Sequence, residues 1–423
     1  MILFGWILAT TLLIAGLFFL TYAFYELLRP VRRADTFPSN LPFVSILVPA
    51  RNEEGKIGRC LASLLNQNYP YFEIIVIDDR STDNTAQVIQ SFVDGDQHNR
   101  IKFVHGKDAP DGWIGKCNAL AHAVTFASGD WFVFTDADTY HKPNSIRDAV
   151  YCAANDNADL VSFVPMQELG SFPEKLIMPL LLSSFLLGDP FHQVNDPECK
   201  RAYAYGQYII CRRDSYLAIG GHQSVRNEIV EDHALAGVFK KKGYKIQVAD
   251  GKTVYSVRMY TDLKSLWQGW TKNLYSLIDS RVPNLLIILF MINSVALFPY
   301  IQLILLGRMI VTGTGPGDVI VGSMAGMISM QFLMLVAWFE KTSQHHDGTD
   351  WRSFFMFPFG SIAVTVLYFH AAYLVWSGSQ VNWKGRRYVV NSEKTIQPTH
   401  SQPLELALDQ PIVHEIREVS TIR

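Results

Sequence analysis

Apolar positions divide the chain into three regimes. Met1 to Tyr25 carries no charge, and about 20 mostly apolar residues suffice to cross a bilayer. A second apolar block opens near Pro283. Between Val282 and Phe339 the only charges are Arg308 and Asp318, and Phe354 to Trp383 is uncharged. The stretch between these blocks, 43–280, has a different pattern. Short β-branched runs at Phe43–Pro49, Glu73–Ile77, Ile101–Val104 and Trp131–Thr135 predict strands. Ile57, Leu61 and Leu64 recur at helical spacing, and Thr82–Phe92 and Ala119–Ala127 predict two further helices. Strands alternating with helices predict an α/β domain with a mainly parallel sheet. Ligands of such sheets bind beyond the carboxyl ends of the strands.

No Lys or Arg precedes the first apolar run, and no clear small-residue cleavage site follows it. The pattern therefore predicts an uncleaved anchor rather than a signal peptide. Further spans are expected at 284–306, 318–338 and 355–376, with Gly313-Thr314-Gly315-Pro316-Gly317 as a turn. Trp338, Trp351 and Trp376 fall where interfacial aromatics would sit. Arg29, Arg32 and Arg33 directly follow the anchor, which assigns the next domain to the cytoplasm and the protein to the cell membrane. Three simple crossings after that domain would put the tail outside, yet Lys384, Arg386 and Arg387 favour the cytoplasm. A break at Pro299, giving a re-entrant pair, or one span lying on the interface would resolve this conflict. The expected organisation is an anchor (1–28), a linker (29–42), a catalytic domain (43–253), an interfacial amphipathic helix region (254–282), a transmembrane region (283–378) and a polar tail (379–423), mostly disordered from Asn391 on.

Composition agrees with a mixed architecture. The 423 residues are 49% hydrophobic but only 18% charged, against roughly a quarter charged in soluble chains. The mean hydropathy of +0.10 is too low for a chain that is membrane throughout. Lys+Arg is 37 and Asp+Glu is 39, a balance that argues against a nucleic-acid partner. Cys60, Cys117, Cys152, Cys199 and Cys211 include no CxxC pair, so neither a disulfide framework nor a zinc site is expected.

Polar motifs gather at the strand ends. Asp136-Ala137-Asp138 follows an apolar strand. Two carboxylates on one tight turn suit Mg²⁺ or Mn²⁺ held together with substrate phosphates; an ordinary acidic turn is the alternative. Asp78 and Asp79 end another strand, where a carboxylate could accept from a ring N–H or a ribose hydroxyl, while Ser81, Thr82 or Asp83 would cap the next helix. In Val48-Pro49-Ala50-Arg51-Asn52-Glu53-Glu54, a helix would begin at Arg51 or Asn52. Gly115-Lys116 offers a point charge for phosphate, although the P-loop and GxGxxG patterns are absent. Glu231-Asp232, after Gly220-Gly221-His222, could supply a general base or simply the acidic first turn of a helix. Trp267, Trp270 and Leu274 share a helical face, read either as an interfacial helix or as a lid over an acceptor.

Taken in order within 43–240, VSILVPARNEE, DDRSTDNT, GK, the DAD form of DxD, the GG segment and the ED pair resemble glycosyltransferase family 2. The resemblance implies a GT-A (nucleotide-diphospho-sugar transferase) domain and an inverting glycosyltransferase that uses a divalent metal and a nucleotide sugar, a UDP-sugar foremost. It would put Pro49, Ala50, Glu53 and Asp79, with Asp78 beside them, at the nucleoside. Lys116 would meet donor phosphate or sugar, Asp136 and Asp138 would hold donor and metal, and Asp232 would be the base with Glu231 its neighbour. Gln268 and Trp270 fall where processive members carry QxxRW, but QGWTK, with Lys272, does not match that motif. Gln268, Trp270 and Lys272 are the acceptor-side candidates. Arg258-Met259-Tyr260, Gly269-Trp270-Thr271-Lys272 and Asn382-Trp383-Lys384-Gly385-Arg386-Arg387-Tyr388 look like membrane glycosyltransferases of bacterial carotenoid-acid and other terpenoid lipids. This implies a lipid acceptor. Ceramide or hopanoid-type transfer, a polyprenyl-phosphate sugar transferase and a processive polysaccharide synthase are the alternatives.

Overall fold

The computed structural model describes residues 1–31, 41–188, 191–228, 230–277 and 282–379, with strand backbone at 381–383, 386–390 and 396–398. Most of the predicted linker and the end of the tail lie outside the described residues. The chain begins with helix α1 (Ile2–Leu27) and a two-residue strand β1 (Arg29–Pro30). The α/β unit opens with β2 (Val44–Ala50), α2 (Ile57–Leu65), β3 (Phe72–Asp78), α3 (Thr85–Gly95), β4 (Ile101–His105) and α4 (Gly115–Val124). It continues with β5 (Trp131–Thr135), β6 (Thr139–His141), α5 (Ser145–Asn155), β7 (Leu160–Val164) and β8 (Met166–Glu168). Helices α6 (Phe172–Gly188) and α7 (Phe191–Asn195) precede β9 (Tyr208–Arg212) and α8 (Arg213–Ala218). After a 3₁₀ turn (Gly221–Val225) come α9 (Glu231–Lys241), β10 (Ile246–Asp250) and β11 (Tyr255–Val257).

The expected sheet is present, with eight strands in the order β1-β10-β7-β9-β5-β2-β3-β4. Every pairing is parallel except those of β9 with β5 and β7. Its central strands β3, β5 and β7 are buried along their whole length, as a sheet covered on both faces requires. That explains their continuous apolar runs. Ile57, Leu61 and Leu64 do form the buried face of α2.

One local expectation fails and another holds only in part. No helix starts at Arg51 or Asn52: Asn52 adopts φ 52°, and α2 starts five residues later. Ser81 and Thr82 do not cap α3, whose N-cap is Asn84 with no side-chain cap bond. Both residues pair instead with the neighbouring strand-end loop. Ser81 Oγ accepts from Asn52 N–H at 2.9 Å, and Asn52 Oδ1 accepts from Thr82 N–H at 2.8 Å. The two loops thus satisfy each other's backbone, and the third cap candidate, Asp83, accepts from the first N–H of α3, that of Thr85, at 3.0 Å.

The remaining elements are α10 (Leu263–Leu277), α11 (Val282–Ala296), α12 (Phe298–Thr312), α13 (Asp318–Ser343), β12 (His346–Asp347), α14 (Trp351–Phe355) and α15 (Phe357–Trp376). Strands β13 (Val381–Trp383), β14 (Arg386–Val390) and β15 (Ile396–Pro398) pair antiparallel. Among the described residues α1, α13 and α15 are long and apolar enough to cross a membrane. The α11–α12 pair, bent by 53° at Leu297, would make a fourth span. The break occurs next to Pro299, whose missing N–H cannot continue the helical ladder. Their outer faces expose large apolar side chains such as Leu12, Phe19, Leu333, Phe359 and Val366, the surface that lipid covers. Inside, Gln302 Nε2 donates to Thr10 Oγ1 at 2.9 Å and Gln331 Nε2 to Thr11 Oγ1 at 2.8 Å, tying α12 and α13 to α1.

Three placements differ from the sequence pattern. Trp338 is buried and edge-packed on Phe357 at 5.7 Å, rather than interfacial; Trp351 and Trp376 are exposed. Helix α10 is not a free amphipathic helix: Trp270 and Leu274 are buried in a core shared with α6, α11, α13 and α15. Strand β12, which follows the long membrane helix α13, joins the second sheet of the α/β unit, ordered β12-β8-β11-β6. The chain therefore returns to the catalytic side after α13. At the far end of α15, His370 accepts from Trp267 of α10 at 3.1 Å, and β13 lies against α10. Strand β14 pairs with β13 and so follows it to the α10 side of the molecule, an arrangement in which the tail and the α/β unit share one side. A reporter fused to the C-terminus should therefore register on the same side as one inserted at the exposed α9–β10 turn. Protease protection in sealed vesicles checks this, and opposite sides would refute it.

Candidate functional site

At the carboxyl ends of β2, β3 and β5 lies an open cleft of about 850 Å³. Its walls include Pro49, Ala50, Glu53, Asp79, Lys116, Asp136, Asp138, Glu231, Asp232, Gln268, Trp270 and Lys272. These residues span more than 200 positions of sequence and converge because the parallel strands all end on one edge. Of the candidates read from the sequence, only Asp78 does not line it. Its carboxylate accepts from Ser81 N–H at 3.2 and 3.4 Å. It therefore shapes the loop after β3, while Asp79 faces the cleft.

The acidic turn after β5 has a rigid floor. Thr135 Oγ1, Thr139 Oγ1 and His141 Nε2 lie within 3.0–3.1 Å of one another. Thr139 Oγ1 also donates to the Asp136 carbonyl at 2.8 Å. Burial pushes His141 down to about 3, so it is neutral at physiological pH and serves as a hydrogen-bonding spacer. Sequence reasoning missed this role; a His three residues past the DxD turn, two after Thr139, was the available signal.

Lys116, in the first turn of α4, bridges the turn and α9. Its Nζ lies 2.8 Å from Asp136 Oδ1 and 2.7 Å from Glu231 Oε1. Burial works against its charge, but Asp136, Glu231 and Asp232 outweigh burial and hold it well above the usual lysine range. Asp232 has the opposite balance. Burial first, then the Glu231 carboxylate, raise it above the usual carboxylate range. Its Oδ2 accepts from Gly206 N–H at 2.6 Å and its Oδ1 from His233 N–H at 2.8 Å. On the opposite flank Lys56 Nζ lies 3.8 Å from Asp138 Oδ2 and 3.8 Å from Glu53 Oε2.

The donor set fits a divalent cation held largely by its substrate. Eight carboxylates line the cleft against four Lys and Arg side chains, so a diphosphate entering it needs added positive charge. Among the described residues no group of three or more His, Cys, Asp or Glu converges on a metal position. Two hard carboxylate ligands completed by phosphate and water are what Mg²⁺ or Mn²⁺ accepts.

On the acceptor side, Trp270 is buried and its Nε1 donates to Met178 Sδ at 3.0 Å, so it forms wall, while Gln268 and Lys272 reach the cleft from the same helix. Tyr25, His345 and His346 also line the cleft and were not foreseen. They come from the end of α1 and from the segment after α13. His345 Nε2 is 3.1 Å from Asp250 Oδ1. Burial, reinforced by His345, pushes His346 down to about 3. The only sequence signal was a His pair closing an apolar span.

Comparison with known proteins follows this geometry. The family model described as glycosyl transferase family 2 matches residues 45–217. The 4,4'-diaponeurosporenoate glycosyltransferase of Staphylococcus aureus strain MRSA252 is 30% identical over 274 residues, covering 62% of this chain and 70% of that protein. Its counterpart in strain USA300 is 29% identical over 270 residues with the same coverage. Among solved structures, the mannosyltransferase PcManGT from Pyrobaculum calidifontis, in complex with GDP-Man and Mn²⁺, aligns with TM-score 0.49 and 18% identity, over 86% of this chain and 99% of that one.

Gly206 gives the site a sharp test. A Cβ there would lie 2.7 Å from Asp232 Oδ2, too close to coexist with the present carboxylate position. Gly206→Ala should lower turnover by about 10²-fold, the cost of a displacement near 1 Å at a reacting group, with little change in Tm. Unaltered kinetics would show that the Asp232 position is not critical.

Proposed function

We propose that this chain, which belongs to glycosyl transferase family 2, moves a sugar from a nucleoside-diphosphate sugar onto a membrane lipid of the carotenoid or terpenoid type. That it is a glycosyltransferase follows from the family; donor, metal and acceptor are the proposal. One observation carries it. The Lys116–Asp136–Glu231 cluster and Asp232 share a cleft whose other wall is α10, the end of α1 and the segment after α13. A polar donor site thus faces elements that continue into membrane helices. The names of the Staphylococcus aureus relatives support a polyene-acid acceptor. The arginines after α1 support a cytoplasmic catalytic domain, where nucleotide sugars are available, a UDP-sugar being the donor expected.

In this reading Pro49, Ala50, Glu53 and Asp79 hold the nucleoside, and Lys116 meets the donor phosphates. Asp136 and Asp138 would hold the divalent cation, which when bound offsets the charge of the diphosphate. Asp232 accepts the proton of an acceptor hydroxyl. The acceptor oxygen bonds to the anomeric carbon from the face opposite the diphosphate. The sugar–phosphate C–O bond breaks with its electron pair going to the nucleoside diphosphate, and the configuration inverts. Gln268 and Lys272 position the acceptor head, with Trp270 as wall. A carboxylic acid acceptor is already ionised near neutral pH and does not need Asp232 as base.

Asp138→Asn should cost on the order of 10²–10³-fold in transfer to any acceptor, and chelation should silence the wild type reversibly; full activity in either case refutes the donor-site reading. Asp232→Asn should cost as much with a hydroxyl acceptor and far less with a carboxylic acid. Because Asp232 must be deprotonated to act and is held above the usual carboxylate range, kcat/KM for a hydroxyl acceptor should fall as pH drops through that raised value. Glu231→Gln removes a neighbouring negative charge and should move this limb to lower pH. A limb that stays put would exclude Asp232 as the titrating base.

A further inference from the structure

A second cavity, of about 240 Å³, lies among the membrane helices, between α1, α6, α11 and α13. Its lining is Ile14, Leu17, Phe18 and Thr21 from α1, Leu180 and Ser183 from α6, and aliphatic, Met and Trp side chains from α11 and α13. The two hydroxyls in this wall are already spent on their own helices. Thr21 Oγ1 donates to Leu17 O at 2.8 Å and Ser183 Oγ to Pro179 O at 2.6 Å. A bound water needs two to four polar partners, which this wall does not offer. Its chemistry selects hydrocarbon.

Two helices lead from this cavity to the catalytic cleft. On α1 the positions Ile14, Phe18 and Thr21 line the cavity and Tyr25 lines the cleft; spacings of four, three and four keep them on one helical face. From Thr21 to Tyr25 is about one helical turn, roughly 5.4 Å. On α13 the face through Met334 and Trp338 continues past buried Thr342 to His345, which lines the cleft. The two helices pack side by side. Lys341 Nζ closes on Glu26 Oε1 at 2.6 Å, and the Tyr25 ring lies 4.9 Å from that of His345.

We propose that this track holds the hydrocarbon tail of the acceptor lipid, with the reacting head at the Tyr25–His345–His346 end of the cleft and the tail running along the inner faces of α1 and α13 into the cavity. The assignment rests on the lipid-acceptor reading above and adds where, and by what, the lipid is measured. The site selects for chain length: an acceptor too short to reach past Thr21 forgoes the apolar contacts of the cavity.

The test uses the full-length protein in membranes, with a UDP-sugar donor, a long polyene carboxylic acid and geranic acid as its short analogue. Met334→Trp and, separately, Thr21→Phe fill the cavity from different helices. Each should lower the long-to-short ratio of kcat/KM roughly tenfold, equivalent to about 1.4 kcal/mol. A diazirine-bearing fatty acid should label α1 and α13 peptides in the wild type, should be displaced by the long polyene acid, and should label neither variant. An unchanged ratio in both variants overturns the proposal. So does labelling that the polyene acid does not displace, which would mark a structural bilayer lipid. If the wild type transfers sugar to neither acid, the acceptor class proposed above is wrong. The cavity is then judged by labelling alone: label lost in both variants keeps a hydrocarbon site, and label retained removes it.

Discussion

Lys116 Nζ sits 2.8 Å from Asp136 and 2.7 Å from Glu231, and the rest of the catalytic edge is arranged around that contact. It joins three pieces of chain: the turn after β5, the start of α4 and the start of α9. Without this half-buried cation, the carboxylates of Asp136, Glu231 and Asp232 would repel one another where protein replaces part of the screening water. With it, Asp232 can remain beside Glu231 with its affinity for protons raised, the property a general base needs. In the proposed function the same ammonium would exchange an acidic partner for the phosphates of a donor.

A second set of contacts fixes the cleft to the membrane. Arg59 makes a two-pronged pair with Glu168 at 2.7 and 2.8 Å, fastening α2 to β8. Arg258 meets Glu174 at the start of α6 at 3.1 Å. His345 reaches back to Asp250 on β10. Burial tends to raise the Asp250 carboxyl, but the His345 hydrogen bond holds it below the usual range. Helix α6 is inserted between β8 and β9 of the α/β unit yet packs among α1, α10, α11 and α15. It approaches α15 so closely that a Cβ on Gly360 would lie 2.4 Å from the Leu176 carbonyl. Through α6, the α/β unit and the apolar helices are packed directly against one another.

Much of this was legible in the chain. Strand β5 runs from Trp131 to Thr135 as its apolar run indicates, and β2, β3 and β4 fall within one residue of their predicted limits at either end. Buried parallel strands are uniformly apolar, so their boundaries are visible wherever the acids begin. The motif order named six of the eight acids that line the cleft, Glu54 and Asp83 being the two it left out. It failed where local patterns compete. The DDRSTDNT segment looks like a helix cap, but a neighbouring loop offered Ser81 and Thr82 better partners. Helix α6, set within the α/β unit's sequence, is apolar because it packs among α1, α10, α11 and α15.

By itself the sequence determined the α/β sheet, the acidic strand ends, the family and the presence of membrane-spanning helices, because each is written in local periodicity or in an ordered set of short motifs. Only the tertiary structure decided that β12 joins the second sheet of the α/β unit, that Trp270 is wall, that Asp78 supports a loop, and that Tyr25 and His345 meet at the cleft. Most of those outcomes depend on partners distant in sequence, such as Tyr25 with His345 and Trp270 with Met178. Their energies come from shared burial and complementary charge, which no local pattern encodes.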